Sequence, residues 1–290
     1  MVIRRIGLRH PVVLVGAVLL GLAASIAAGP GQRAAAAATT TVTVSGTGTG
    51  RTFDGIGAIS GGGGNTRLLT DYPAAQQQQI LDYLFKPGYG ADLQILKVEI
   101  GGDTNSTDGS ESSIEHASGA INCNNGYEWW LMEQAKALNP SIKLYALSWG
   151  APGWISGGFF SQGTINYLVS WLNCAKSHGL TINYLGGWNE RGFSESWYET
   201  LHSTLAVDGF TSTQVVGADE SGSWAVADSM VATPAFDAAV DIVGVHYPCG
   251  YLSTETDCPS TANAVATGRP TAPLSNCGPA TAAPASSGRR

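Results

Sequence analysis

Ile182-Asn183-Tyr184-Leu185-Gly186-Gly187-Trp188-Asn189-Glu190 is an apolar, β-prone run that ends in an aromatic ring, an amide and a carboxylate. Read as a strand of a parallel α/β barrel, it delivers those groups at its C-terminal end, the face on which barrel enzymes carry their chemistry. Asn beside Glu at that place suits glycoside cleavage. The carboxyl serves as general acid toward the leaving glycosidic oxygen, and the amide bonds a hydroxyl of the sugar. The plainer reading of so short a motif is a strand running into a polar turn, so the rest of the chain has to decide between the two.

Outward from this stretch, strand-like and helix-like segments alternate, the pattern of a parallel sheet covered by helices. Upstream, strands are expected at Phe53 to Ile59, Leu93 to Ile100 and Ile142 to Leu147. Helices are expected after Pro73, with Ile80, Leu81, Leu84 and Phe85 as the apolar face, then over Tyr127 to Leu138 and about Thr164 to Ser177, with Gly179 as a C-cap. Downstream follow a helix over about Ser196 to Val207, a strand over Gln214 to Ala218, a helix over Trp224 to Ala232 and a strand over Val240 to Val245. Six βα-type units can be counted over residues 51–267, two fewer than a closed (β/α)8 TIM barrel needs. The strand at Leu93 to Ile100 is apolar, as a doubly covered parallel strand should be, apart from Lys97 and Glu99, and a buried Glu99 needs a partner.

The two ends differ in character from this middle. Residues 1–38 read as a signal peptide: Arg4, Arg5 and Arg9 precede an apolar run from Pro11 to Ala28, and the alanines around Ala34 to Ala38 offer a cleavage site. An uncleaved anchor is the alternative. Secretion to the extracellular space follows from the first reading, with no stable membrane insertion. Residues 39–50 hold a linker and a strand at Thr39 to Ser45 of the kind found in an accessory sandwich. From Gly268 to Arg290 the chain is dense in Pro, Ala and Ser, has no aromatic and no acidic residue, and is expected to be disordered.

Composition sets further bounds. With 290 residues, 43% hydrophobic and 13% charged, the chain can bury one sizeable core. A net charge of -7 offers no basic footprint for nucleic acid or anionic lipid, and a neutral sugar suits such a surface. Export permits disulfides. Of the five cysteines, Cys249 and Cys258 bracket a short loop and are the first expected pair; a Cys123 to Cys174 bridge is left open, and Cys277 remains over. No metal-ligand spacing appears.

The strand ends gather Gly101-Gly102-Asp103 to Thr107-Asp108, Trp149, Asn189-Glu190 and His246-Tyr247. In a barrel these converge on one face, where aromatic rings stack on sugars. Trp149 and Trp154 serve equally as core residues, and His246 and Tyr247 are weaker candidates than Glu190. Asp103 and Asp108 can organise a Gly-rich loop through Asx turns.

Five ordered stretches carry a specific resemblance: Phe53 to Ala58 (FDGIGA), Ile80 to Pro87 (ILDYLFKP), Leu96 to Asp103 (LKVEIGGD), Gly126 to Met132 (GYEWWLM) and Trp188 to Arg191 (WNER). They resemble the galactocerebrosidases, glycoside hydrolase family 59, over about residues 50–250. The resemblance implies a TIM barrel with β-sandwich and lectin-like domains, and retaining, cofactor-free hydrolysis of β-galactosides such as galactosylceramide. It also implies Glu190 as general acid/base and Thr107, Trp149 and Asn189 as substrate contacts. A retaining mechanism needs a second carboxylate about 5 Å away, which in that family ends the seventh strand. Here the last acidic residues are Glu255 and Asp257. The expectation is therefore a barrel without strands seven and eight, nucleophile or accessory domains, its tail translated out of frame or naturally truncated, and with little turnover. Two other readings stay open: a non-catalytic galactoside-binding remnant, and a related glycosidase acting on another sugar.

Overall fold

The computed structural model describes residues 53–61, 64–104, 106, 109–247 and 271–273. Strands and helices alternate along them: β1 (Gly57–Ser60), α1 (Ala74–Phe85), β2 (Ile95–Ile100), α2 (Glu128–Leu138), β3 (Lys143–Ser148), α3 (Gln162–Ser177) and β4 (Tyr184–Trp188). Then come α4 (Glu195–Val207), β5 (Gln214–Ser221), α5 (Ala225–Ala232), α6 (Pro234–Ala239), β6 (Ile242–His246) and β7 (Thr271–Pro273). The seven strands pair in sequence order. Every pairing is parallel, as βα repetition with right-handed crossovers produces in an α/β barrel.

Alternation along each strand separates two apolar layers. Leu96, Val98, Leu144, Ala146, Leu185 and Val215 face the helices and join the large core. Tyr145, Leu147, Val216 and Ile242 face the other way and form a small inner cluster with Ile95, Trp149 and Tyr184. At roughly 25 cal/mol per Å² of apolar area buried, the outer layer supplies most of the hydrophobic stabilisation. The inner layer is what polar groups interrupt.

Local signals explain most boundaries. Ser161 accepts from the Thr164 amide to cap α3, and Gly179 follows its last turn at φ +71°, as a C-terminal glycine should. β1 starts later than the apolar pattern suggests, because Gly55 sits at φ +121° where a Cβ would lie 2.4 Å from that of Gln94. Pro234 opens α6, a short helix that the pattern of Trp224 to Ala232 does not announce.

One expectation changes. A seventh strand exists: Thr271, Ala272 and Pro273 pair with Val243, Gly244 and Val245 inside the segment expected to be without structure. A strand this short is held by main-chain bonding to β6, which composition does not report, and Pro273 ends it by lacking an amide hydrogen. Of the pairings left open, Cys123–Cys174 is formed among the described residues and ties the loop before α2 to α3. The pair expected first, Cys249 and Cys258, lies outside the described residues.

Candidate active site

The loops that follow β2, β3 and β4 enclose a cleft of about 680 Å³, bordered by Thr104, Ser106, Trp149, Trp188, Asn189 and Glu190 among others. Trp188 is held flat against Phe159, ring centroids 4.7 Å apart, and its indole nitrogen donates to the Trp149 carbonyl at 3.0 Å. One wall is thus a braced aromatic surface, suited to the apolar face of a sugar.

Asn189 and Glu190 are fixed by their main chain from both sides. The Asn189 amide donates to Ser148 O at 2.8 Å, and the Glu190 amide donates to Asp219 O at 2.9 Å. Glu190 adopts φ +57°, a left-handed conformation that costs a non-glycine residue about 1–2 kcal/mol. Such strain is held at functional sites by surrounding contacts. The Asn189 side-chain oxygen is buried with no hydrogen-bond partner among the described residues. Glu190 keeps a third of its side chain exposed, and its Oε1 lies 2.9 Å from His246 Nδ1.

Beneath Glu190 runs a buried chain of polar groups. His246 Nε2 is 3.0 Å from Asp219 Oδ1, and Lys97 Nζ is 3.4 Å from that same oxygen and 3.3 Å from His246 Nε2. The Tyr145 hydroxyl donates to the other Asp219 oxygen. Lys97, Asp219 and His246 are at most 1% exposed. Burial alone would raise the Asp219 carboxyl. The Lys97 charge and the bonds from His246 and Tyr145 outweigh it and bring Asp219 down to about 2. Burial draws the Lys97 ammonium below its ordinary value, opposed first by Asp219 and then by Glu190.

Sheet irregularity and two glycines make room for this network. The β5–β6 register shifts between Ala218 and Glu220, and Asp219 sits at the shift with φ +58°. Bulges of this kind re-aim a side chain beside an active site. A Cβ on Gly186 would lie 2.7 Å from both Asp219 Oδ2 and the Tyr145 hydroxyl, and one on Gly244 would lie 3.3 Å from the Asp219 carboxyl carbon.

The expected residues divide clearly. Trp149, Asn189 and Glu190 meet at the cleft, and His246 lies below it. Tyr247 is half-buried at φ +48°, its ring edge-on to His246. Thr107 and Asp108 lie outside the described residues. Asp103 does organise its loop: it accepts from the Ser113 amide at 2.9 Å and pairs with His116 at 2.8 Å. Trp154 donates to Glu115 O at 2.6 Å, a framework role. Lys97, Asp219 and Tyr145 went unrecognised as site residues. Lys97 did carry a signal, since a cation inside an apolar strand demands a buried counter-charge.

Residues 53–275 match the model of glycosyl hydrolase family 59. The galactocerebrosidase of Danio rerio is 48% identical over 204 residues, which are 68% of this chain and 31% of the relative. That of Homo sapiens is 45% identical over 204 residues, covering 68% and 30%. The chain thus spans about a third of the length of these curated relatives. Among solved structures, the catalytic domain of GH30 xylanase C from Talaromyces cellulolyticus matches with a TM-score of 0.56 at 22% identity, over 69% of this chain and 54% of that one. SrfJ from Salmonella typhimurium matches with a TM-score of 0.58 at 18% identity, over 69% and 52%. At such identities these two likenesses speak for the barrel fold alone.

Proposed function

The chain belongs to glycosyl hydrolase family 59, and from that premise we propose that it carries the acid/base half of a retaining β-galactosidase site for galactosylceramide or a related β-galactoside. The observation that carries the proposal is Glu190: a carboxyl on the cleft wall, held on one oxygen by His246, beside the Asn189 amide oxygen, which has no partner among the described residues. In the first step Glu190 gives its proton to the glycosidic oxygen while the C1–O bond breaks and its electron pair leaves with the aglycone. A second carboxylate forms the bond to C1. In the second step the Glu190 carboxylate takes a proton from water, whose oxygen attacks C1 and releases that second carboxylate.

Trp149 and the Trp188 wall hold the sugar ring, and Asn189 accepts from one of its hydroxyls. Thr107 is assigned a substrate contact on the family resemblance alone. We read the protein as exported, on the strength of the Arg4 to Ala38 leader. No Asp or Glu follows Asp257 in the sequence. We propose that these 290 residues by themselves bind galactosides and turn them over slowly or not at all.

The test supplies the second group from outside. With molar azide and an activated nitrophenyl β-galactoside, azide attack on C1 from the opposite side should yield α-galactosyl azide, and gluco- and xylo-configured analogues should react more slowly. Fast galactose release without azide would show that these residues need no outside nucleophile. No azide product, together with no binding of a galacto-configured iminosugar, would overturn the galactosidase reading.

A further inference from the structure

We propose that His246 is the positioning residue of Glu190, oriented from below by the buried Lys97–Asp219 pair so that one proton is shared between His246 Nδ1 and Glu190 Oε1. The proposal rests on the reading of Glu190 as acid/base and adds to it what holds that carboxyl in place.

Asp219 is fully buried, with the Lys97 ammonium, the Tyr145 hydroxyl and His246 Nε2 all directed at its two oxygens. A carboxylate so surrounded has no proton to give. At 3.0 Å the contact between Asp219 Oδ1 and His246 Nε2 therefore needs its proton on the nitrogen. That fixes the other ring nitrogen as the one offered to Glu190, at 2.9 Å. With no proton between them, two lone pairs would oppose each other at that distance, inside a site where repulsion is little screened. One proton resolves this, bonded either to Glu190 Oε1 or to His246 Nδ1, and moving it between the two leaves the total charge unchanged.

Lys97 limits the alternatives further. Its ammonium is 3.3 Å from Nε2, so it opposes a full positive charge on the imidazole. The charged and titratable groups around this contact are Lys97 from β2, Tyr145 from β3, Glu190 after β4, Asp219 from β5 and Tyr247 after β6. Tyr198 of α4 faces Asp219 from behind, its hydroxyl raised by burial and then by the Asp219 charge. Among the described residues His246 does not border the cleft but contacts Glu190, which does, so it acts through Glu190 and not on the sugar.

The test reads the ring nitrogens directly, in the full chain labelled with nitrogen-15 histidine, near neutral pH. The chain has five histidines, and the His246 signals are assigned as those lost in His246→Asn. The expected result is a protonated-type Nε2 in both proteins, with Nδ1 intermediate in the wild type and moved to the fully unprotonated, pyridine-like position in the variant. A wild-type His246 with its single proton on Nδ1 and a pyridine-like Nε2 would overturn the proposal. So would an Nδ1 signal that Glu190→Gln leaves in place, which is what a framework histidine would give. If the variant failed to fold, the wild-type nitrogen pattern would still decide. Because nothing here depends on turnover, a moved signal beside a failed azide assay would overturn the galactosidase reading alone.

Discussion

Asp219 and Glu128 are both buried, at 0% and 3% exposure, yet their surroundings push them in opposite directions. Asp219 receives the Lys97 ammonium, the His246 ring and the Tyr145 hydroxyl, and falls to about 2. Glu128 opens α2 and accepts from the Ser60 hydroxyl at 2.9 Å. Burial first, then the charges of Glu111 and Glu99, lift it well above the usual carboxylate value. Its Oε2 has no hydrogen-bond partner among the described residues. Even the favourable N-terminal end of α2 does not reverse this. Burial disfavours both charges; a cation and two hydrogen-bond donors reverse it at Asp219, while the like charges of Glu111 and Glu99 add to it at Glu128.

The largest way to break that comparison is to remove the cation. Lys97→Met should destabilise the fold by about 3–5 kcal/mol, because it leaves a buried carboxylate without its counter-charge. Urea unfolding at neutral pH measures it, and adding Asp219→Asn should restore most of the loss. A loss below about 1 kcal/mol would mean that Lys97 is not what separates the two sites.

A smaller effect sharpens it spatially. Replacing Cys123 and Cys174 by serine opens a loop spanning 51 residues of sequence and should cost about 2–4 kcal/mol. Cys123 lies in the loop that brings Glu111 to the Tyr127 amide at 2.8 Å. Hydrogen exchange should therefore quicken around residues 111–128 before it does in β5 and β6. Uniform quickening would show that the two regions open together.

The smallest effect is the pH response. Asp219 has a folded-state value below its ordinary 3.8, so its contribution is present above that pH and is lost as the pH falls toward 2. Glu128 has one above its ordinary 4.5, so its contribution is present below that pH and is lost as the pH rises through the elevated value. Glu128→Gln keeps the acceptor for Ser60 and cannot ionise. It should be about 1 kcal/mol more stable than the wild type at mildly alkaline pH, with the gain gone below pH 4.5. Equal gains at both pH values would contradict the assignment of a strained carboxyl.

The strand pattern, the parallel sheet and the place of Asn189-Glu190 were legible because each is written locally, in apolar periodicity and in the residues that end a strand. β7 was not, because its three residues are held by the β6 main chain and share the composition of an unstructured tail. Cys123–Cys174 was one pairing among several until the fold brought α3 against the loop before α2. Lys97 was visible as an exception in an apolar strand without indicating its partner.

By itself, then, the sequence determined the βα repetition, the cleft face and the acid/base candidate, since periodicity and strand-end residues act over a few positions of chain. Only the tertiary structure decided that Lys97, Asp219 and His246 lie beneath Glu190. They stand 122 and 149 residues from Lys97, and they meet because parallel strands set their alternate side chains on one inner face, where a register shift turns Asp219 inward and Gly186 leaves it room.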